Sequence, residues 1–120
     1  MSSPTQHTLA WLRKNGYTCQ IVETFNHFSM RRNDLFGFVD VLAMKPGQNG
    51  VTGIQTTSTG NITARIKKAL ALPELDTFLA CGNRVLFQGW AKRGKAGKVK
   101  HWTLDMREVT IDRSVVPVEY

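Results

Sequence analysis

Between Phe36 and Met44 the chain reads FGFVDVLAM, an apolar run with a single carboxylate, Asp40, inside it. An ionised carboxylate carried into an apolar strand costs several kcal/mol unless it is paired, hydrogen-bonded or bound to a metal. Any fold that keeps this strand must therefore give Asp40 a partner. KPGQNG follows, with enough proline, glycine and asparagine to reverse the chain, and VTGIQTTS reads as the returning antiparallel strand. If Met44 pairs with Val51, the register sets Leu42 opposite Gly53 and Asp40 opposite Gln55, with Thr57 two residues further along the same face.

The flanking segments supply layers for such a sheet. Ser3, Pro4 and Gln6 make an N-cap, an N1 proline and the far arm of a capping box, opening a helix that Gly16 closes. YTCQIVETF alternates with the period of a strand, so Glu23 falls on the same face as Tyr17, Cys19, Ile21 and Phe25. NHFSMRRND reads as a polar loop, with Asp34 as a turn residue. Asn61 caps a helix whose apolar stripe is Ile62, Ile66, Ala69 and Leu70, and PELDTFLACG adds a short helix. RVLFQGWAK and KHWTLDMREVTI then read as strands joined by the basic turn KRGKAGK. The expected fold is an α/β (α+β) single domain over residues 1–120, a mixed central sheet flanked by helices in the order α-β-β-β-α-β-β.

Charge narrows the function classes. With 16 Lys and Arg against 9 Asp and Glu the net charge is +7, which favours a polyanionic partner through counterion release. No apolar run is long enough for a membrane span, and MSSPTQHTLAWLRKNG lacks the apolar core of a signal peptide, so a cytoplasmic protein without a membrane partner is expected. Cys19 and Cys81 form no CxxC pair and read as buried free thiols, and the three histidines are too scattered for a preformed transition-metal cluster.

The strand D-V-L-A at Asp40–Ala43, the turn, and I-Q-T-T-S-T at Ile54–Thr59 together resemble the PD-(D/E)XK nucleases. Within that superfamily the chain is most similar to the Holliday-junction-resolvase branch and to small phage proteins of that kind. The resemblance runs by element order from about Gly16 to Ile111 and implies a restriction-endonuclease-like core. It also implies a Mg²⁺- (or Mn²⁺-) dependent DNA endonuclease, a homodimer as resolvases are, acting in the host cytoplasm if phage-encoded. Asp40 would be the first metal ligand. Gln55 stands where the family has its second carboxylate, and Thr57 where it has its lysine. The candidate metal set is Asp40, Gln55 and Glu23, and the missing cation would come from Lys67 first, then Arg65 or Lys45.

Each of these residues has a structural alternative. Asp40 can be a buried carboxylate paired with Arg31, Arg32 or backbone amides, Glu23 a solvated strand-end carboxylate, and Gln55 with Thr57 a cross-strand hydrogen-bonding pair. The candidate DNA-binding set is Arg31, Arg32, Arg65, Lys68, Lys92, Arg93, Lys95 and Lys98, and its alternative is a solvated basic turn. The three tryptophans read as core or sheet-face residues. Two further functions stay open: a nuclease-fold DNA-binding module that has lost turnover, and a phage protein-interaction or inhibitor domain.

Overall fold

The computed structural model describes residues 3–94 and 100–120. Helix α1 (Pro4–Lys14) starts where Ser3 Oγ accepts the Gln6 N–H at 3.3 Å, and the chain turns away at Gly16, whose φ of +87° is open to glycine at no steric cost. Strand β1 (Thr18–Ile21) follows, then a separate two-stranded hairpin of β2 (Thr24–Asn26) and β3 (Arg31–Asn33). After β4 (Val41–Met44) and β5 (Thr52–Ser58), a 3₁₀ turn (Thr59–Asn61) leads into α2 (Ile62–Leu70) and α3 (Pro73–Ala80). Strands β6 (Arg84–Arg93), β7 (His101–Val109) and β8 (Val115–Pro117) complete a mixed six-stranded sheet of order β1-β4-β5-β6-β7-β8.

Only β5 and β6 are parallel, and α2 with α3 form the crossover that a parallel pair requires. The alternation of β5 sorts its side chains between two cores. Ile54 packs toward α1 with Leu9, Leu12, Val41, Leu86, Trp90 and Met106. The opposite face carries the α2 and α3 core of Ile62, Ile66, Leu75 and Phe78 on Val39, Val85 and Phe87. Gly53 lies on that second face because a Cβ there would stand 2.9 Å from Val39 Cγ2 and 3.2 Å from the Phe78 ring. By the same alternation Gln55 and Thr57 share the α2/α3 face.

Where β4 and β5 pair, the expected register is the observed one: Leu42 faces Gly53, flanked by Val41–Ile54 and Ala43–Thr52. The ladder ends at Val41–Ile54, and the expected Asp40–Gln55 pair is not one of its pairs: the Asp40 N–H donates to the Ile54 carbonyl at 3.0 Å. Four local expectations are corrected. The strand expected through Phe25 breaks after Ile21, because the Val22 and Glu23 N–H groups both turn to the Asp40 carbonyl, at 2.9 and 3.3 Å. The expected loop contains β3, which closes the hairpin. The expected strand from Phe36 begins only at Val41; Phe36 and Gly37, with φ of +56° and +85°, form a turn closed by a Leu35–Val39 bridge. Strand β8 has no counterpart in the expected order, since Val115–Pro117 is too short to show a period. Of the two free thiols expected to be buried, Cys81 is exposed, while Cys19 is half-buried and packs against the α1-side core. Among the described residues no helix is long and apolar enough to cross a membrane.

Candidate metal centre

The backbone of Asp40 joins three segments. Its N–H donates to the Ile54 carbonyl at 3.0 Å, while its own carbonyl accepts from Val22 and Glu23 where β1 ends. Glu23 is thereby fixed to the rim of the β4–β5 pair, although it no longer belongs to a strand. The hairpin returns the chain to Asp34, whose carbonyl accepts the Gly37 N–H at 3.0 Å and so starts the turn leading back to Asp40. The result is a cluster in which one oxygen from each of Glu23, Asp34 and Asp40 lies within 4.8 Å of the others.

The side chains differ in how they are held. Asp40 is 4% exposed, and its Oδ2 accepts the Thr56 N–H at 3.0 Å. This backbone amide is one of the partners the sequence leaves open for Asp40. Gln55, equally buried, donates its Nε2 to Asp34 Oδ2 at 2.8 Å. Glu23 is the outer member, with Arg32 Nη1 3.4 Å from its Oε1 and that guanidinium largely in solvent.

Three like-charged groups this close cannot all ionise freely. Burial, followed by the hydrogen bond shared with Asp34, pushes the Asp40 carboxyl up to about 8, against the opposing effect of the Thr56 N–H. The charges of Asp34 and Glu23 push in the same direction. Burial among these neighbours therefore favours the protonated form of Asp40 at neutral pH. The cluster offers hard oxygen donors and an excess of acceptors, a set that suits Mg²⁺, Mn²⁺ or Ca²⁺. A divalent cation would take the place of the Asp40 proton.

The cluster includes two of the three expected ligands, Asp40 and Glu23. Its third carboxylate is Asp34, which the sequence assigns to a turn; it does sit in a turn, but one that folds back onto the site. A carboxylate six residues before Asp40 gives no periodic signal, and only the hairpin that closes between Glu23 and Asp34 brings it in. Gln55 supports that carboxylate as a donor. Thr57 is buried two residues along the same strand face. Among the described residues Arg32 is the one cation in an ion pair with the cluster. Lys67 and Arg65 are exposed on α2, and Lys45 lies with its Nζ 5.2 Å from the Tyr17 ring centroid.

The basic residues divide in the same way. Arg31, Arg32, Arg65 and Lys68 are exposed, as are Lys92 and Arg93 at the end of β6. Lys95 and Lys98 lie outside the described residues. Arg84 is taken up by a two-pronged pair with Glu108 at 2.9 and 3.0 Å, and Arg107 by Asp105 at 3.2 Å. Because β5 and β6 are parallel with Gln55 beside Phe87, Lys92 lies five residues, about 17 Å along the strand, beyond the level of the site. Trp90 and Trp102 stay with the fold: Trp90 donates its Nε1 to Thr8 at 2.9 Å, and the Trp102 ring lies 4.4 Å from that of His7.

Comparison with protein-family models, with curated proteins and with solved structures finds no match.

Proposed function

We propose that this chain is a divalent-metal-dependent DNA endonuclease built on a restriction-endonuclease-like core. The observation that carries this reading is the convergence of Glu23, Asp34 and Asp40 at the end of the β4–β5 pair, one oxygen of each within 4.8 Å of the others. A mixed sheet with helices on both faces, a helical crossover from β5 to β6, and Asp40 beside Gln55 at the edge of their ladder support the PD-(D/E)XK resemblance. The net charge of +7 supports a nucleic-acid substrate.

Glu23, Asp34 and Asp40 would hold a Mg²⁺ or Mn²⁺ ion. When bound, such an ion neutralises a scissile phosphate and lowers the pKa of an attacking water. The Thr56 N–H fixes one Asp40 oxygen, leaving the other to face the cluster, and Gln55 orients Asp34. Arg32, exposed beside Glu23, is placed to take a phosphate oxygen. As the cation in an ion pair with the cluster among the described residues, it is the substitute we favour for the one missing at Thr57, ahead of Lys67 on α2. Exposed Lys92 and Arg93 would hold the duplex further along its backbone.

The test is cleavage of branched, single-stranded and duplex DNA in Mg²⁺ or Mn²⁺, with Asp40→Ala beside the parent. Metal-dependent nicking that the variant loses is expected. No nicking of any substrate by the parent sinks the reading.

One observation favours a second reading, a nuclease-fold module that binds DNA without cutting it: Gln55 and Thr57 replace a carboxylate and a lysine. Salt-sensitive DNA binding with no turnover in either metal is its signature. Asp34 weighs against it, because it restores a third carboxylate to the cluster.

A further inference from the structure

Glu23 immediately precedes β2 and Asp34 immediately follows β3, so the hairpin projects directly from two of the three carboxylates. None of residues 24–33 belongs to either apolar core. The backbone of its turn is nevertheless pinned by a side chain. The Asn26 Oδ1 accepts the Phe28 and Ser29 N–H groups at 2.9 and 3.1 Å, and Met30 closes the turn at φ +55°. The Phe28 side chain is wholly exposed, while the Phe25 and His27 rings meet edge-on at 4.9 Å. Between them lies an open depression of about 370 Å³ walled by Thr24, Phe25, Asn26, His27, Phe28 and Asn33. Phe25 pairs across the hairpin with Arg32, so one exposed guanidinium lies on the Phe25 face, while Asn26 pairs with Arg31 on the other.

Aromatic walls, amide and hydroxyl groups at the edges and a nearby arginine are features by which proteins hold unstacked bases: π-faces for stacking, polar groups for the base edge, a cation for the phosphate. A paired base presents no free face to such a site. We infer that the β2–β3 hairpin binds an unpaired nucleobase beside the carboxylate cluster, so that the substrate is DNA with single-stranded character at the point of attack. This rests on the nucleic-acid reading above and specifies its substrate class. Phe25 is two residues from Glu23, at most about 7 Å of chain, so a base seated there belongs to a nucleotide next to the one whose phosphate reaches the carboxylates.

The test uses the whole chain in EDTA, where no cleavage can occur, with oligonucleotides carrying 2-aminopurine, whose fluorescence falls when it stacks on an aromatic ring. The parent is expected to quench and bind the single strand more tightly than the matching duplex. Phe28→Ala and Phe25→Ala are each expected to abolish the quench and weaken single-strand binding about tenfold, within the range for loss of one base–aromatic stack. Phe28→Trp should restore both. Truncating a fully exposed Phe28 leaves the cores untouched, so a loss in that variant is not a folding defect. Single-strand affinity and quench unchanged in both alanine variants overturn the inference. Adding Mg²⁺ separates its fate from that of the nuclease reading. A hairpin-dependent quench with no strand cut keeps the inference and removes the nuclease. Cutting at equal rates on paired and unpaired DNA, by parent and alanine variants alike, keeps the nuclease and removes the inference.

Discussion

Two polar inclusions lie on opposite sides of the same strand, and Thr56 touches both. On the α1 side its Oγ1 accepts from Thr8 Oγ1 at 2.8 Å, and Thr8 in turn accepts the Trp90 Nε1–H at 2.9 Å. That chain is neutral, and its Trp90 and Thr8 donors both find acceptors within the fold. On the other side the Thr56 N–H reaches Asp40, the innermost of three carboxylates whose donors are one backbone amide, one glutamine and one exposed arginine. The Trp90 and Thr8 donors are met by neutral neighbours, whereas Glu23–Asp34–Asp40 needs a proton or a cation from outside. Burial costs both groups, but only the second is left able to bind something.

The largest expected effect lies on the carboxylate side. Asp40→Ala should reduce metal-dependent cleavage by about 10³-fold, since a ligated metal contributes several kcal/mol to the transition state. Thr8→Val, on the other side, should leave the metal dependence of cleavage as it was. A cleavage loss in Thr8→Val as deep as in Asp40→Ala would erase the distinction between the two inclusions.

Stability against pH comes next. The folded Asp40 carboxyl binds its proton more tightly than the unfolded chain does, so without divalent metal the folded protein binds more protons than the unfolded chain between about pH 4 and about 8. Stability is therefore greatest below that window and falls, by a few kcal/mol in all, as pH rises through it. Asp40→Asn should flatten the curve in urea titrations, because the amide oxygen can still accept from Thr56. An unchanged slope in that variant would mean that another group governs the window.

Thr8→Val itself should destabilise the fold by about 1–3 kcal/mol in urea, since it leaves the Trp90 N–H buried without a partner, at the same cost at pH 6 and pH 9. A pH-dependent cost would couple the two faces that we describe as independent. The smallest effect is expected at the rim: Arg32→Ala should cost no more than about 1 kcal/mol of stability, as exposed ion pairs do. A larger loss would make Arg32 part of the inclusion rather than its border.

Much of this molecule can be read from its residues. The helix at Pro4, the stripe Ile62–Ile66–Ala69 and the Leu42–Gly53 register follow from caps, a 3.6 period and a turn of fixed length, all of them local signals. The hairpin is not legible in this way. Its strands are three residues each, wholly exposed, and carry no hydrophobic alternation, so Arg31–Asn33 looks like loop. The site inherits that blindness. Asp40 stands out because an acid in an apolar run is conspicuous, while Asp34 is brought in only by a hairpin with no pattern of its own. Gln55 marks the right place on β5, yet nothing in the sequence tells whether its amide turns a donor or an acceptor to the site.

The most direct test of the cluster is calorimetric titration of the metal-free protein with Mn²⁺ at pH 7 in two buffers of different ionisation enthalpy. We predict one bound ion per chain with release of a proton, both lost in Asp40→Ala and both weakened in Asp34→Asn. Absence of Mn²⁺ binding to the parent, or binding that Asp40→Ala leaves unchanged, would contradict the account.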